Sequence, residues 1–551
     1  MNSGNLIINY LVQLRNGILI FNLFIFIFLN LACGEGKLPS KDTGEWETAV
    51  KENIDTTVRV YGRYAAVKLP IRNGVKLWNP TAIAEGPGGV MYVANYTGEI
   101  FSLQDTDGDG LEDFAKLYCN VINDSLRYPT SMVFRGNELF VATTQEIRVY
   151  EDVDADLIAD KSYTFFNDFP YTMHYFDWTF GLEFGPDGYV FAILCTDALN
   201  DNPAPDPNRL RGSILKIAPN GQSHERYATG LRYAYDLAFN EKGDLFFNDN
   251  RGNENKYEEL NYVVKSGFYG NNPNKYEDQG KAIEPFLRLQ YGYAPVGMDF
   301  NDKLNDFDRT SGDLFIAFYG PDGQWEDGSI SRVHLVKNED GTYEGKEFPI
   351  ADKIAKLSDL EFGKTGDLYV SQFGTEGAYH IPYKNPMGAI YRFIYMPSIE
   401  PDNPKDNTAA VEGNVHHGEG VFKSRACMTC HSIDGSKQLL GPDLGGIGTL
   451  LQGGQLLESI TDPNRNIKTG FDHIKIKKND GTIIDGRMVT SNKEYIVMMT
   501  IGNEEIKIGR KDIQSSNMIK TSLMPEGLLN GLTDSDIKDL LGYLRSLEGV
   551  N

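Results

Sequence analysis

Cys427-Met428-Thr429-Cys430-His431 is the stretch of this chain whose residue types and spacing most narrowly define a chemistry. Two thiols three positions apart sit on one turn, where each can add across a vinyl group. The imidazole beside the second thiol is then held next to a bound iron. C-x-x-C-H is the attachment signature of a covalent c-type haem, one per motif, with Cys427 and Cys430 as thioether donors and His431 as proximal ligand. A zinc ribbon needs a second C-x-x-C pair, and the five cysteines of the chain include no other such pair. A thioredoxin-like redox pair needs a strand-helix context that these flanks lack.

Downstream, Gly441-Pro442-Asp443-Leu444 and Ser522-Leu523-Met524-Pro525 follow in the order of a small cytochrome c, which this C-terminal part resembles. In that order a proline carbonyl, here Pro442, accepts the second N–H of the histidine and fixes the ring. A thioether, here Met524, binds opposite His431 and favours ferrous iron. Met488, Met498, Met499 and Met518 are the rival thioethers, and His416 and His417 the other distal candidates. Thr533 and Asp536 make a helix start of capping-box type, and Ile537, Leu540, Leu541 and Leu544 recur at i, i+3, i+4 and i+7. This closing helix is expected to cross the one carrying Gly418 and Phe422. Between them, 473–478, 482–488, 495–501 and 505–508 alternate as strands around Asn479-Asp480-Gly481 and Gly502-Asn503, so a small antiparallel β insertion is expected at about 470–515.

The chain has 551 residues, and these elements fit into roughly the last 140, leaving nearly 400 for a larger domain. The net charge of −24 is unevenly spread: from 411 onward there are 16 Lys and Arg against 18 Asp and Glu, which leaves −22 on the preceding part. An acidic body of this kind excludes nucleic acid as a partner and fits solubility outside the cell. At the N-terminus, Arg15 precedes an apolar run over 18–31, too short for a spanning helix, that ends at Leu31-Ala32-Cys33-Gly34. The run resembles a bacterial lipoprotein signal cut before Cys33, whose thiol then carries lipid, with Asn30 where that signal usually has leucine. The expected location is extracytoplasmic, on the periplasmic or outer-membrane face of a bacterium, anchored to membrane through Cys33. Cys119 and Cys195 either pair or stay as buried free thiols.

Between 76 and 396 the chain repeats. A turn with Gly followed by a Leu/Tyr/Phe-rich strand occurs in GPGGVMYVAN, FRGNELFVAT, GPDGYVFAIL, EKGDLFFNDN, TSGDLFIAFY and KTGDLYVSQF. The glycines, Gly89, Gly136, Gly188, Gly243, Gly312 and Gly366, are 47, 52, 55, 69 and 54 residues apart. Such periods, each with room for about four short strands, indicate propeller blades whose radial closure protects sheet edges. A pair of β-sandwiches would not repeat one strand at this period. The expected fold is a mainly β six-bladed β-propeller at 76–396, then an α-helical cytochrome c domain at 411–551 carrying the β insertion. Residues 1–32 are read as signal peptide, 33–75 as an N-terminal tether and 397–410, with Pro397, Pro401 and Pro404 among charges, as linker.

Two blades carry a matched acidic loop. Asp105, Asp107, Asp109 and Asp113 have the same D-x-D-x-D-x-x-x-D spacing as Asp152, Asp154, Asp156 and Asp160. Carboxylates at alternate positions of a tight loop converge on a hard cation, which outside cells is calcium; the alternative is a pair of solvated acidic turns. Neither loop is an EF-hand, since the twelfth positions are Lys116 and Tyr163. Gly110 supplies the turn in the first loop, and Leu157 stands there in the second.

APVGMDF from Ala294, GDLFIAFYG, LSDLEFGKTGDLYVSQF and GAIYRF, with GLRYAYDLAF around Arg232, NDNRGN around Asp249 and ELNYVVKSGFYG, resemble the propeller of soluble, pyrroloquinoline-quinone (PQQ)-dependent sugar dehydrogenases, especially the sorbosone and pyranose branch. GPDLGGIG and SLMPEGL resemble the haem-binding domain that follows such propellers in planctomycete and related bacterial proteins. The resemblance implies a lipoprotein that oxidises a sugar, polyol or related alcohol and passes electrons through its haem to a redox partner protein or the quinone pool. It also implies a histidine just upstream of Gly185-Pro186-Asp187-Gly188 to take the hydroxyl proton. Asp177-Trp178-Thr179-Phe180 stands there, with His174 a few residues before, so Asp177, His174 and Arg232 are the catalytic candidates. Cavity-facing proline-arginine and proline-histidine pairs read Pro80-Thr81 and Pro129-Thr130, a histidine-glycine-serine-tryptophan stretch reads Tyr319-Gly320-Pro321-Asp322, and the asparagine after the arginine reads Tyr233. Arg232, Lys265, Arg251 and Arg392 either line an anionic site or make ordinary ion pairs. Each charged contact to a tricarboxylate is worth about 1.5–3 kcal/mol, so these replacements weaken PQQ binding. The second reading is an electron-transfer or carbohydrate- or partner-binding lipoprotein whose propeller is not catalytic.

Overall fold

The computed structural model describes residues 44–126, 128–172, 174, 178–196, 202–250, 257–271, 280–289, 293–301, 307, 310–320, 327–374, 388–396, 413–434, 439–450, 454–465, 467–468, 471, 473–491, 494–519 and 521–547. The signal-like stretch with Cys33, the linker and Asp177 lie outside these. Among the described residues the chain is mostly β, and six small antiparallel sheets succeed one another. The first holds Pro80–Glu85, Met91–Asn95, Glu99–Gln104 and Phe114–Asn120; the second Pro129–Arg135, Glu138–Thr143, Ile147–Glu151 and Lys161–Phe166; the third Thr179–Phe184, Val190–Leu194, Ser213–Ile217 and His224–Thr229. The fourth holds Tyr233–Phe239, Leu245–Asn250, Glu258–Tyr262 and Leu287–Leu289, and the fifth Pro295–Phe300, Leu314–Phe318, Gly328–Lys337 and Tyr343–Ile354, edged by Arg59–Val60.

The sixth sheet is built from both ends of the ring: Leu357–Phe362, Leu368–Gln372 and Ala389–Tyr395 take Tyr64–Lys68 as their outermost strand. The first strand of every sheet packs on the first strand of the next, and Leu357–Phe362 returns to Pro80–Glu85, a propeller-like closure that leaves no inner edge. The stretch 33–75 is therefore not a tether throughout. It contains the strands Arg59–Val60 and Tyr64–Lys68, and Gly44–Asn53 is a helix with a Glu47–Lys51 pair at 3.6 Å.

The repeat glycines explain the period. All six have φ between 61° and 86°, at the hairpin between the first and second strands, where a Cβ is strained. Second strands such as Val190–Leu194 and Leu314–Phe318 are buried at every position, so they read as apolar runs without alternation. Carboxylates then latch neighbouring sheets. Asp236, Asp299 and Asp359 accept the amides of Met298 (2.8 Å), Phe362 (2.8 Å) and Ile83 (2.9 Å) on the following sheet. Burial pushes Asp236 up to about 7 and Asp359 well above the ordinary carboxyl range.

The C-terminal part pairs the helix Val415–Ser424, capped by Asn414, with the helix Asp534–Ser546, whose capping box joins Thr533 and Asp536 as expected. Gly418 lets the two backbones touch, because a Cβ there would lie 1.9 Å from Asp539 O. Phe422 and Tyr543 pack at 5.4 Å, with Leu540, Leu541 and Leu544 buried beside them. The β insertion is a sheet in the order Glu505–Gly509, Tyr495–Thr500, Ile483–Ser491, His473–Lys478, Ile513–Ile519. The last strand passes the expected limit near 515, since Gln514, Ser515, Ser516 and Asn517 are poor strand formers placed there by pairing with 473–478. This part also touches the ring: Arg59, paired with Asp352 at the edge of the fifth sheet, donates from Nη2 to Ile467 O at 3.1 Å.

Candidate functional site

The C-x-x-C-H segment follows Ala426, which has a φ of 57°, and forms a single tight turn over Cys427–Thr429. Cys427 O accepts the amides of both Cys430 (3.1 Å) and His431 (3.0 Å), which gathers two thiols and an imidazole on one turn. Both thiols are free and half-buried, and burial raises each above the ordinary thiol range. A nucleophilic redox pair is favoured by the opposite shift.

The His431 ring is held in one orientation. Its Nδ1–H donates to Pro442 O at 2.7 Å, and burial lowers its pKa, so the ring is neutral and the remaining nitrogen, Nε2, carries a lone pair. Gly441 makes this possible: a Cβ there would lie 2.7 Å from His431 Cε1 and 3.0 Å from Cys430 O. The donor set, two thiols and one oriented neutral imidazole on a turn, fits a covalently held haem. Met524 is half-buried, with its amide on Ser522 Oγ at 3.0 Å. All four of its rivals, Met488, Met498, Met499 and Met518, lie on strands of the insertion instead, with Met498 inside its core and Met499 3% exposed. His417 is bound at Nδ1 to Asp539 Oδ2 at 2.8 Å, which ties it to the helix pair. Sequence reasoning missed Arg487 and Asn503 of the insertion, whose side chains hold backbone within this turn, at Thr429, and after it, at Leu439 and Leu440. Asn503 was visible only as a turn former.

In the ring, one end gathers the aromatic side chains that flank the first strands. Tyr96 stacks on Tyr128 at 4.4 Å, Tyr128 on Trp178 at 5.1 Å, and Phe373 closes on Tyr96 at 6.1 Å. Tyr128 holds a φ of 56°, a strained conformation for a tyrosine. Arg232 and Tyr233 lie at the same end, and their amides donate to Asp249 Oδ2 and Oδ1, each at 2.8 Å. Burial pushes Asp249 up to about 7 and its neighbour Glu259 up to about 8. His174 is half-buried with its amide on Thr172 Oγ1 at 3.1 Å, and Asp177 and Arg251 lie outside the described residues.

The other cations are engaged elsewhere. Arg392 is paired with Asp367 at 2.7 Å and Glu112 at 3.3 Å, and Lys265 with Glu225 at 3.0 Å. Thr81 donates to Pro129 O at 2.6 Å and Thr130 to Ala142 O at 3.2 Å, so both hydroxyls hold backbone. Among the described residues this set does not fit a tricarboxylate quinone. Cys119, on the first sheet, and Cys195, just after the second strand of the third, are not joined by a disulfide, and Cys195 Sγ donates to Ala234 O at 3.3 Å.

The two acidic loops share a backbone shape. Gly108 and Gly110 have φ of 79° and 90°, and Ala155 and Leu157 at the matching positions have 60° and 65°. In the second loop, Asp152, Asp154 and Asp156 each bring one carboxylate oxygen within 4.8 Å of the others; Asp107 and Asp109 do so in the first. The fourth aspartates are used differently: Asp113 accepts the amide of Thr106 at 2.9 Å, and Asp160 that of Val153 at 2.8 Å.

Residues 80–312 match the model of a domain of unknown function, DUF7133. No curated protein matches. Among solved structures, the PQQ-bound form of an aldose sugar dehydrogenase from Streptomyces coelicolor is 16% identical and covers 61% of this chain and 99% of its own, at a TM-score of 0.44. The PQQ domain of a pyranose dehydrogenase from Coprinopsis cinerea gives 12%, 61%, 96% and 0.45. An iodide structure of a Trichoderma reesei carbohydrate-active enzyme of family AA12 gives 14%, 62%, 98% and 0.47.

Proposed function

We propose that this chain is an exported electron-transfer protein with one c-type haem in a C-terminal cytochrome c domain, behind a six-bladed β-propeller. The observation that carries the reading is the His431 Nδ1–H to Pro442 O bond at 2.7 Å beside two free thiols on one turn. Cys427 and Cys430 would anchor the group, and His431, through Nε2, and Met524, through its thioether, would hold its iron. When bound, haem supplies one-electron transfer. The propeller oxidises a sugar or related alcohol and feeds this outlet, which passes electrons to a redox partner or the quinone pool. Sequence resemblance supports that upstream half. Calcium in the Asp105 and Asp152 loops stiffens the first two blades, and lipid on Cys33 fixes the protein to a bacterial membrane outside the cytoplasm.

A second reading, a propeller that binds a partner without catalysis, is favoured by the engaged cations and the Tyr96-Tyr128-Trp178 stack. The test is expression with a c-type maturation system. Covalent haem should survive denaturation and be lost in Cys427→Ser with Cys430→Ser, and a weak thioether charge-transfer band should vanish in Met524→Ala. Adding a panel of sugars and polyols with PQQ and calcium then separates the readings, since haem reduction requires a catalytic propeller. A chain without covalent haem overturns both.

A further inference from the structure

The β insertion has no place in the reading so far, yet two of its side chains reach the haem turn. Arg487, on Ile483–Ser491, is 6% exposed. Its Nε donates to Leu439 O (3.2 Å) and Leu440 O (3.0 Å), and its Nη2 to Leu439 O (2.7 Å), while the guanidinium lies 4.8 Å from the Phe471 ring centre. Among the described residues no carboxylate pairs with it. Burying a guanidinium on carbonyls alone is unfavourable, and burial accordingly pushes this one down to about 10. An apolar side chain would serve the sheet better unless the carbonyls themselves must be held.

Asn503 approaches the same loop from the turn between Tyr495–Thr500 and Glu505–Gly509. It has a φ of 58°, which asparagine tolerates better than most residues. Its Oδ1 accepts the amide of Leu440 at 2.8 Å, and its Nδ2 donates to Thr429 O at 2.5 Å. One side chain thus spans from inside the C-x-x-C-H turn to the residue before Gly441. Gly441 N donates to Cys430 O at 2.8 Å, and Pro442 O receives the His431 proton. The path from the insertion to the ligand is three residues long: Leu440, Gly441, Pro442.

We infer that the β insertion is a clamp for the proximal ligand, in which Arg487 and Asn503 are positioning residues that hold the 439–442 loop against His431. The inference rests on the haem reading above. Without the clamp the Leu439 and Leu440 backbone groups that lead into Gly441 and Pro442 lose these side-chain partners, and the Gly441 N to Cys430 O bond at 2.8 Å is left to hold the Pro442 carbonyl in place. The imidazole would then lose the fixed orientation and the basicity that the carbonyl gives it.

The test uses the full-length holoprotein and follows the His431 Nδ1–H by NMR, together with the midpoint potential of the haem. Asn503→Ala and Arg487→Met should each speed exchange of that proton at least tenfold and shift the potential. Asn503→Asp, which keeps the acceptor for Leu440 N, and Arg487→Lys, which keeps one donor, should fall between. Should Arg487→Met fail to fold, Asn503→Ala, on a surface turn, decides alone. Lower thermal stability with the exchange rate and potential at wild-type values would show a sheet that is structural only and overturn the clamp. Wild-type protein that carries no covalent haem would overturn the proposed function instead, and the clamp is then judged by the same proton in the haem-free chain.

Discussion

Gly441→Ala is the substitution for which the structure gives the sharpest expectation. The added Cβ would meet His431 Cε1 at 2.7 Å, Nδ1 at 2.9 Å and Cys430 O at 3.0 Å. Ordinary contact begins at about 3.5 Å, so ring and loop must part by about 0.8 Å. The His431 to Pro442 bond, now 2.7 Å, would then reach about 3.5 Å and cease to be one. Leaving a buried carbonyl unmet costs about 1–3 kcal/mol, and overpacking about 1–3 kcal/mol, of which roughly 2–4 kcal/mol together is expected. At about 3 °C per kcal/mol for a part of this size, the C-terminal transition should fall by about 6–12 °C. Gly420→Ala is the control: it lies in the interior of Val415–Ser424 with nothing within 4 Å of the new Cβ, and should gain about 0.5–1 kcal/mol from helix propensity. Thermal melts followed at the haem absorption and by circular dichroism measure both. A Gly441→Ala protein melting within about 2 °C of wild type, with an unchanged haem spectrum, would refute the reasoning.

Three other expectations follow from charge. Asp236, Asp249, Glu259 and Asp359 are all raised by burial, so between pH 4 and about 8 the folded ring holds protons that the unfolded chain releases. Stability contributed by Asp236, Asp249 and Glu259 is full below pH 4 and is lost as pH rises through 7 to 8; the melting temperature should fall over that range, less steeply in Asp236→Asn, and a rise would contradict the assignment. Chelation of calcium should lower the melting temperature of the ring, with Asp107→Ala and Asp154→Ala blunting the response, and indifference to chelator would remove the metal. Cys33→Ser should release the protein from membranes into the soluble fraction, and unaltered fractionation would count against the anchor.

The ring was legible because its signal is a backbone requirement repeated six times. Each of Gly89, Gly136, Gly188, Gly243, Gly312 and Gly366 sits at positive φ in the same hairpin, and no tertiary partner is needed to predict that. Tyr64–Lys68 was not legible as the last strand of the sixth sheet, because its pairing partner lies more than 300 residues away and nothing local announces it. The turn at Cys427–Thr429 was legible for the same reason as the glycines: the spacing of Cys427, Cys430 and His431 is itself the geometry. Arg487 and Asn503 were hidden because their contacts are made to backbone atoms of Leu439, Leu440 and Thr429, and a carbonyl leaves no mark in the residue types that follow it.

The same distinction weighs the two halves of the resemblance differently. In the C-terminal part every residue that the chemistry names is present, and the structure places His431, Gly441 and Pro442 in one connected arrangement. In the ring, three positions where the resemblance implies a cation carry Thr81, Thr130 and Tyr319, and both threonines donate to backbone. At about 1.5–3 kcal/mol each, three missing charged contacts amount to about 4–9 kcal/mol. That is three to six orders of magnitude in affinity for a tricarboxylate, since each tenfold is about 1.4 kcal/mol. A ring with this deficit keeps a quinone only if other cations, such as Arg251, replace those contacts. The proposed source of electrons therefore turns on such cations, whereas the proposed haem turns on Cys427, Cys430 and His431.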